Sequence, residues 1–132
     1  MNVLFIESSA LLAVVFNEPK RSEAARRMES AERLVASRLV RVETDRALLR
    51  LAHDHPELER RIPEMRHELN RIFPRIDFIE ITREICDWAG RISPQSRLRA
   101  LDAIHVATYL RIRELDPTAE LLSFDRRILD VV

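Results

Sequence analysis

Four short, largely apolar runs punctuate the chain: Val3 to Ile6, Leu34 to Ala36, Phe78 to Ile81 and Leu121 to Phe124. Each is too short for a helix and suits a buried strand. The segments between them carry helical spacing and helix punctuation. Ser8 and Ser9 are capping candidates for an apolar helix to about Phe16, which Asn17-Glu18-Pro19 ends. Ser22 to Ser30 reads as a short amphipathic helix. After a cap at Ser37, Leu39, Val40, Val42, Ala47, Leu48 and Leu51 recur at helical spacing up to His53. His55-Pro56 breaks that helix, and a charged helix continues to about Ile72. Thr82 caps a helix through Ile92, and Ser93-Pro94 forms a loop. Arg99 to Leu115 is the strongest helical segment, with Leu101, Ile104, Ala107 or Thr108, Tyr109, Ile112 and Leu115 inward, before Asp116-Pro117 stops it. Arg126 to Val131 reads as a last short helix.

Apolar strands separated by helices predict an α/β fold with a parallel sheet covered on both faces. In such sheets ligands bind beyond the carboxyl ends of the strands. Glu7 directly follows the first strand and Asp125 the last, so the two acids are expected on one rim.

A chain of 132 residues fits one domain, residues 1–132. Its single Gly, six Pro and 46% hydrophobic content favour a helix-rich globule over a disordered or fibrous chain. Cys86 has no partner for an internal disulfide, and its apolar neighbours suggest a small buried side chain in a reducing compartment. The apolar stretch from Val3 to Phe16 is interrupted by Glu7, Ser8 and Ser9 and lacks a preceding basic residue, unlike a signal peptide or membrane span. We expect a soluble, cytoplasmic protein.

The 22 basic and 22 acidic residues cancel, which excludes a global field driving indiscriminate nucleic-acid binding. Locally, Lys20 to Arg75 holds 14 basic and 10 acidic residues, a net +4. All but one of the basic residues are Arg, which suits phosphate contacts but is equally at home on solvated helix faces. Seven aromatic residues, five Phe with one Trp and one Tyr, are too few for a base-stacking platform. Trp88 is expected in core or interface packing.

Four acids occupy costly settings. Glu7 follows an apolar strand, Glu43 lies in an apolar-periodic helix, Asp102 edges the apolar stripe of RLRALDAIHVATY, and Asp125 follows the last strand. Two carboxylates about 5 Å apart repel by roughly 3 kcal/mol at an effective dielectric near 20. A divalent cation reverses that sign, so the acids together suggest a cation-binding pocket. For Asp102 alone, a favourable charge in a first helical turn is the simpler reading. His105, three residues after Asp102, reads as a hydrogen-bonded core histidine rather than half of a D-x-x-H metal pair. His53, His55 and His67 fall in charged, exposed stretches.

The succession of a strand with Glu7-Ser8-Ser9-Ala10-Leu11, then Val42-Glu43, then LDAIHVAT from Leu101, then Ser123-Phe124-Asp125-Arg126-Arg127 resembles the PIN-domain family, and within it the VapC-type ribonuclease toxins of type II toxin–antitoxin systems. The resemblance spans essentially the whole chain. It implies a three-layer α/β/α sandwich around a mainly parallel sheet of four to five short strands. It also implies a Mg²⁺-dependent or Mn²⁺-dependent endoribonuclease acting on tRNA or rRNA, a VapB-type antitoxin partner and a homodimer. This chain departs from the family pattern in one place: Glu7-Ser8-Ser9 stands where Asp-Thr/Ser-Ser is usual. The longer acid must keep a geometry that Mg²⁺ enforces tightly.

On that resemblance, Glu7, Asp102 and Asp125 are expected as metal ligands, and Glu43 as a ligand or as the group orienting the attacking water. An all-acid pocket suits a hard cation better than Zn²⁺, for which no Cys or His pattern is present. Ser9 is expected to bond a carboxylate or to cap the helix, and Ser123, two residues before Asp125, to touch that acid. Arg46 and Arg126 are expected either to meet substrate phosphate or to neutralise the acids. The segment Arg38 to Arg71, with Leu48, Leu49, Leu51 and Leu58, is the expected clamp for an antitoxin peptide. Two other readings stay open: a catalytically weakened PIN-like module that binds RNA or a partner, and a metal-dependent phosphoesterase acting on small substrates.

Overall fold

A computed structural model describes residues 2–132. Its centre is a sheet of four parallel strands, β1 (Val3–Ile6), β2 (Arg33–Ser37), β3 (Ile76–Ile79) and β4 (Glu120–Leu122), in the order β3-β2-β1-β4. The chain winds outward from β1 through β2 to β3, then crosses back to place β4 on the other side of β1. The winding direction therefore reverses between β1 and β4, where open α/β sheets hold their ligands.

All four β1 residues are buried because the sheet is covered on both faces. Leu4 and Ile6 face α1 (Ser8–Val15), α2 (Arg21–Ser30), α3 (Leu39–Asp54) and α4 (Ile62–Ile72), through a core that includes Leu11, Met28, Val40 and Leu69. Val3 and Phe5 alternate to the opposite face with Val35, Tyr109 and Ala119, under α6 (Ala100–Leu115). The short α5 (Arg83–Ala89) packs on α6. A final turn, α7 (Arg126–Leu129), follows β4. The result is the three-layer α/β/α sandwich. The Phe5 and Tyr109 rings lie 5.6 Å apart, and Tyr109 donates its hydroxyl to the Ala119 carbonyl at 3.0 Å, so α6 is fastened to the strand that precedes the last acid. Burying Phe5 and Ile6 completely contributes about 1.5–3 kcal/mol for each side chain.

Several details differ from the sequence expectations. Ser8 and Ser9 do not cap α1; Glu7 holds the cap position and makes no side-chain cap bond, because both serine hydroxyls turn to carboxylates. The charged helix is split into a 3-10 segment (Pro56–Arg61) and α4, since Pro56 and Pro63 each favour a fresh helical start. The third strand begins and ends two residues earlier than its hydropathy suggests, pairing Ile76 with Leu34 and leaving Ile81 exposed. Its following helix stops at Ala89 rather than Ile92.

The inward face of α6 is also displaced. Leu101 and Leu115 are 49% and 73% exposed, while Ala103, His105, Val106, Ala107, Thr108 and Tyr109 are buried. Small residues let this helix approach the sheet closely, and the larger leucines remain outside. Cys86 is exposed, contrary to the buried position expected, because α5 is short and buries only Ile85. Asn17 closes α1 with a left-handed φ of 54°, a conformation that Asn adopts more readily than most residues.

Candidate functional site

Glu7 leaves the carboxyl end of β1 while its backbone N–H still bonds to Leu122 of β4 at 3.0 Å, so β1 and β4 stay zipped up to the acid itself. Its side chain is buried among hydroxyls. Ser9 Oγ donates to Glu7 Oε1 at 2.5 Å and Ser123 Oγ donates to the same oxygen at 2.6 Å. Each hydroxyl also accepts from the loop after β4: Phe124 N–H bonds to Ser9 Oγ at 2.8 Å, and Asp125 N–H bonds to Ser123 Oγ at 3.1 Å. The two serines therefore fix the first acid to the loop that carries the last one.

Glu43 projects from α3 towards the same end of the sheet. Ser8 Oγ and His105 Nε2 both bond to its Oε1, each at 2.5 Å. Burial works to raise the Glu43 pKa, but the hydrogen bond and charge of His105, the Ser8 hydroxyl and nearby Arg50 outweigh it and hold the group below the usual glutamate range. Among the described residues, the hydrogen bonds accepted by Glu7 and Glu43 side chains all fall on Oε1, leaving Oε2 of each outside the network.

Asp102 sits in the first turn of α6 with Oδ2 buried and without a hydrogen-bond partner. Its nearest cations are Arg99 Nε at 3.9 Å and Arg127 Nε at 4.0 Å, both beyond hydrogen-bond length. Asp125 caps α7 by accepting from Arg127 N–H at 2.9 Å, and Arg127 Nε lies 3.6 Å from the same carboxylate oxygen. Arg127 thus bridges two acids that are 23 residues apart in the sequence.

Glu7, Glu43 and Arg46 line one cavity of about 490 Å³, together with Ser8, Ser9, Arg50 and the apolar side chains Leu12, Leu39, Val42 and Leu101. Asp102 and Asp125 lie outside its lining, joined to each other by Arg127, and Ser123 ties the Asp125 backbone to Glu7. The four acids, Ser9, Ser123 and Arg46 therefore belong to one linked set, with Glu7 and Glu43 at the cavity. Arg126 does not: its guanidinium turns to Asp130 at 3.5 Å, and the next residue, Arg127, reaches the acids instead. Of the leucines expected to form a peptide clamp, Leu48 is buried in the core and Leu49 is exposed. Trp88 lines a separate cavity with Ile79, Ile85 and Arg111.

Two contributors were not singled out by sequence. Ser8 looked like one of two interchangeable caps. His105 is a buried, hydrogen-bonded histidine as expected, but its partner is Glu43, so it supports the site rather than the core alone. The only sequence signal for it was its place one helical turn after Asp102.

Does this donor set suit a hard divalent cation? Among the described residues no three acidic, histidine or cysteine groups already converge as a ligand set. The chemistry nevertheless fits: the donors are carboxylate oxygens, and the orphaned Asp102 Oδ2 is a buried anion for which no protein group supplies a hydrogen bond. A cation that keeps several of its waters can bridge more widely spaced acids than a fully protein-ligated one.

A model of the PIN domain matches residues 4–132. Ribonuclease VapC46 of Mycobacterium tuberculosis is 30% identical over 130 residues, covering 98% of this chain and 90% of that protein. Ribonuclease VapC49 of the same species is 24% identical over 128 residues, covering 97% and 88%. Among solved structures, M. tuberculosis VapC20, described as a Sarcin-Ricin loop cleaving toxin, superposes with a TM-score of 0.63 at 15% identity over 98% of this chain and 96% of that one. VapBC2 from Rickettsia felis, bound to a DNA fragment from the promoter, gives a TM-score of 0.60 at 9% identity over 93% and 99%. The rim of acids at the β1–β4 switch and the full-length likeness agree: this chain belongs to the PIN-domain family, among the VapC-type ribonucleases of toxin–antitoxin systems.

Proposed function

We propose that this protein is a divalent-metal-dependent endoribonuclease whose hydrolysis of RNA phosphodiester bonds is restrained by a cognate VapB-type antitoxin. Glu7, Asp102 and Asp125 would hold Mg²⁺, or Mn²⁺ in its place, directly or through water. Glu43 would complete the set or orient the attacking water. The observation that carries this reading is the buried Oδ2 of Asp102, a carboxylate oxygen with no hydrogen-bond partner on a side chain that Arg127 links to Asp125. When bound, such an ion supplies charge neutralisation of the phosphate and activation of water.

The residues around the acids hold them in place. Ser9 and Ser123 lock the Glu7 carboxylate, so the methylene that distinguishes it from the usual Asp is absorbed by a fixed side-chain path. Ser8 and His105 do the same for Glu43 and keep it ionised, the state needed to accept a proton from water or to ligate a cation. Arg127 neutralises Asp102 and Asp125 in the absence of metal, and Arg46 offers a cation to phosphate across the cavity. Substrates are tRNA or rRNA, and the working form is a single-domain protomer in a homodimer in the cytoplasm. Among the described residues no helix is long and apolar enough to cross a membrane.

Incubating purified, partner-free protein with total tRNA and rRNA tests this reading. Cleavage in Mg²⁺ or Mn²⁺, blocked by chelator and lost in Asp102→Asn, is the expected result. A second reading draws on the absence of a preformed ligand triad among the described residues: the chain would then bind RNA or a partner without cutting it. RNA binding with no cleavage under any metal condition would favour that module.

A further inference from the structure

The cavity beside the acids has an apolar half that the proposed metal chemistry does not use. Leu12, Leu39, Val42 and Leu101 form it, and Val42 and Leu101 are 55% and 49% exposed. Exposed aliphatic side chains converging on an acidic centre are not accounted for by core packing. Along the same cavity, Arg46 and Arg50 lie one turn apart on α3, a spacing that puts their Cβ atoms about 5–6 Å from each other. Among the described residues neither makes an ion pair, although Arg41, Arg66 and Arg99 each find an acid.

We infer that this wall is a nucleotide slot: one base of a single-stranded RNA packs on Leu12, Leu39, Val42 and Leu101 while the flanking phosphates meet Arg46 and Arg50. The inference rests on the nuclease reading. A phosphodiester brought to Glu7 and Glu43 must carry a sugar and base on either side, and the surface next to those acids is this wall. Charge complementarity points the same way, since neither guanidinium has a close ion pair to break on meeting a phosphate, Arg50 acting on Glu43 only from a distance. The cavity of about 490 Å³ falls within the usual span of ligand sites.

The chemistry of the wall also limits what it reads. Four aliphatic side chains present no hydrogen-bond donor or acceptor to a base edge, so the slot detects that a base is present and not which base it is. The two arginines contribute a salt-dependent term common to all sequences. Sequence choice must then arise from RNA shape or from residues outside this wall.

The test is fluorescence anisotropy of a labelled single-stranded RNA 12-mer, with a fully abasic 12-mer as control, on Asp102→Asn protein in Mg²⁺ across a salt series. Arg46→Ala/Arg50→Ala is expected to weaken binding of both oligomers and to lower the slope of log affinity against log salt by about 1.4, roughly 0.7 for each phosphate no longer neutralised. Val42→Asn/Leu101→Asn is expected to erase the advantage of the base-bearing oligomer while leaving the slope unchanged. Both positions are half exposed, and circular dichroism checks that these variants fold. An unchanged salt slope, equal binding of the two oligomers by the parent protein, or no binding at all overturns the slot. If the slot variants leave RNA binding untouched while the wild type still cleaves RNA, the nuclease reading survives and the wall passes to a peptide. If the binding pattern appears but the wild type cleaves nothing, the slot stands and the nuclease reading fails.

Discussion

His105, on α6, and Glu43, on α3, meet at 2.5 Å across the carboxyl end of the sheet, with the imidazole 1% exposed and the carboxylate partly open. The pair joins helices from opposite layers of the sandwich at the point where the acids collect. Because Ser8 donates to the same Glu43 oxygen, the carboxylate has little rotational freedom left.

His105→Ala should therefore do two things. It leaves a void and removes a donor to a partly buried acid, costing about 2–4 kcal/mol of stability, measurable by urea denaturation. It should also lower kcat for RNA cleavage more than it raises KM, since a loosened Glu43 affects the reacting centre and not the rest of the substrate surface. Equal stability of variant and wild type would show that the pairing carries no structural weight.

Glu43 also sets a pH dependence for the metal-free protein. Its folded pKa lies below the usual glutamate range, so the unfolded chain takes up a proton first as pH falls. The associated stability is fully present above the ordinary glutamate value and is lost as pH drops through the lower folded one. Glu43→Gln should flatten that acid limb in melts recorded at stepped pH. A limb as steep as that of the wild type would assign the effect to other groups.

Ser123→Ala removes one of two hydroxyl donors to Glu7 and the acceptor of Asp125 N–H. A loss of about 1–2 kcal/mol in stability is expected. The cleavage rate should fall at saturating RNA with KM nearly unchanged. Ser9→Ala should behave alike, because Ser9 performs the same double task with Glu7 and Phe124.

Arg127 acts as an internal counter-ion, with its Nε 4.0 Å from Asp102 and 3.6 Å from Asp125. Arg127→Ala should lower the melting temperature of the metal-free protein, where two acids lose their neutralising charge. It should also tighten Mn²⁺ binding several-fold, since a divalent ion no longer competes with the guanidinium. Calorimetric titration reads the second effect; weaker binding in the variant would instead make Arg127 part of the occupied site.

The frame of the site was legible in the chain because parallel strands are buried on both faces and therefore stand out as unbroken apolar runs. Val3 to Ile6 and Leu121-Leu122 located the strand ends, and with them Glu7 and Asp125. Glu43 and Asp102 stood out as acids in apolar-periodic helical segments, and the family resemblance joined them to the same site, a convergence no local pattern encodes. What stayed hidden depends on tertiary approach. Leu101 reads as core by spacing, yet α6 turns its alanines to the sheet and leaves Leu101 at the cavity. Ser8 reads as a cap because a short hydroxyl near a helix start usually is one, and only the position of Glu43 diverts it; for Ser9 a carboxylate partner and a cap are both expected, and the carboxylate wins. Arg126 and Arg127 are indistinguishable by type, and it takes the turn of α7 to send one outward and the other to the acids.

The central claim is that these acids form a seat for a divalent cation with Asp102 at its heart, and thermal melts of metal-free protein titrated with Mn²⁺ test it most directly. A ligand present at a hundred times its dissociation constant stabilises the folded state by about 2.7 kcal/mol, so the wild type should show a clear rise in melting temperature. Asp102→Asn keeps the shape of the side chain and should fold without metal, although it gives up the ion pairs to Arg99 and Arg127, and should show little or no rise with it. An equal rise in both proteins, or none in the wild type, would contradict the account.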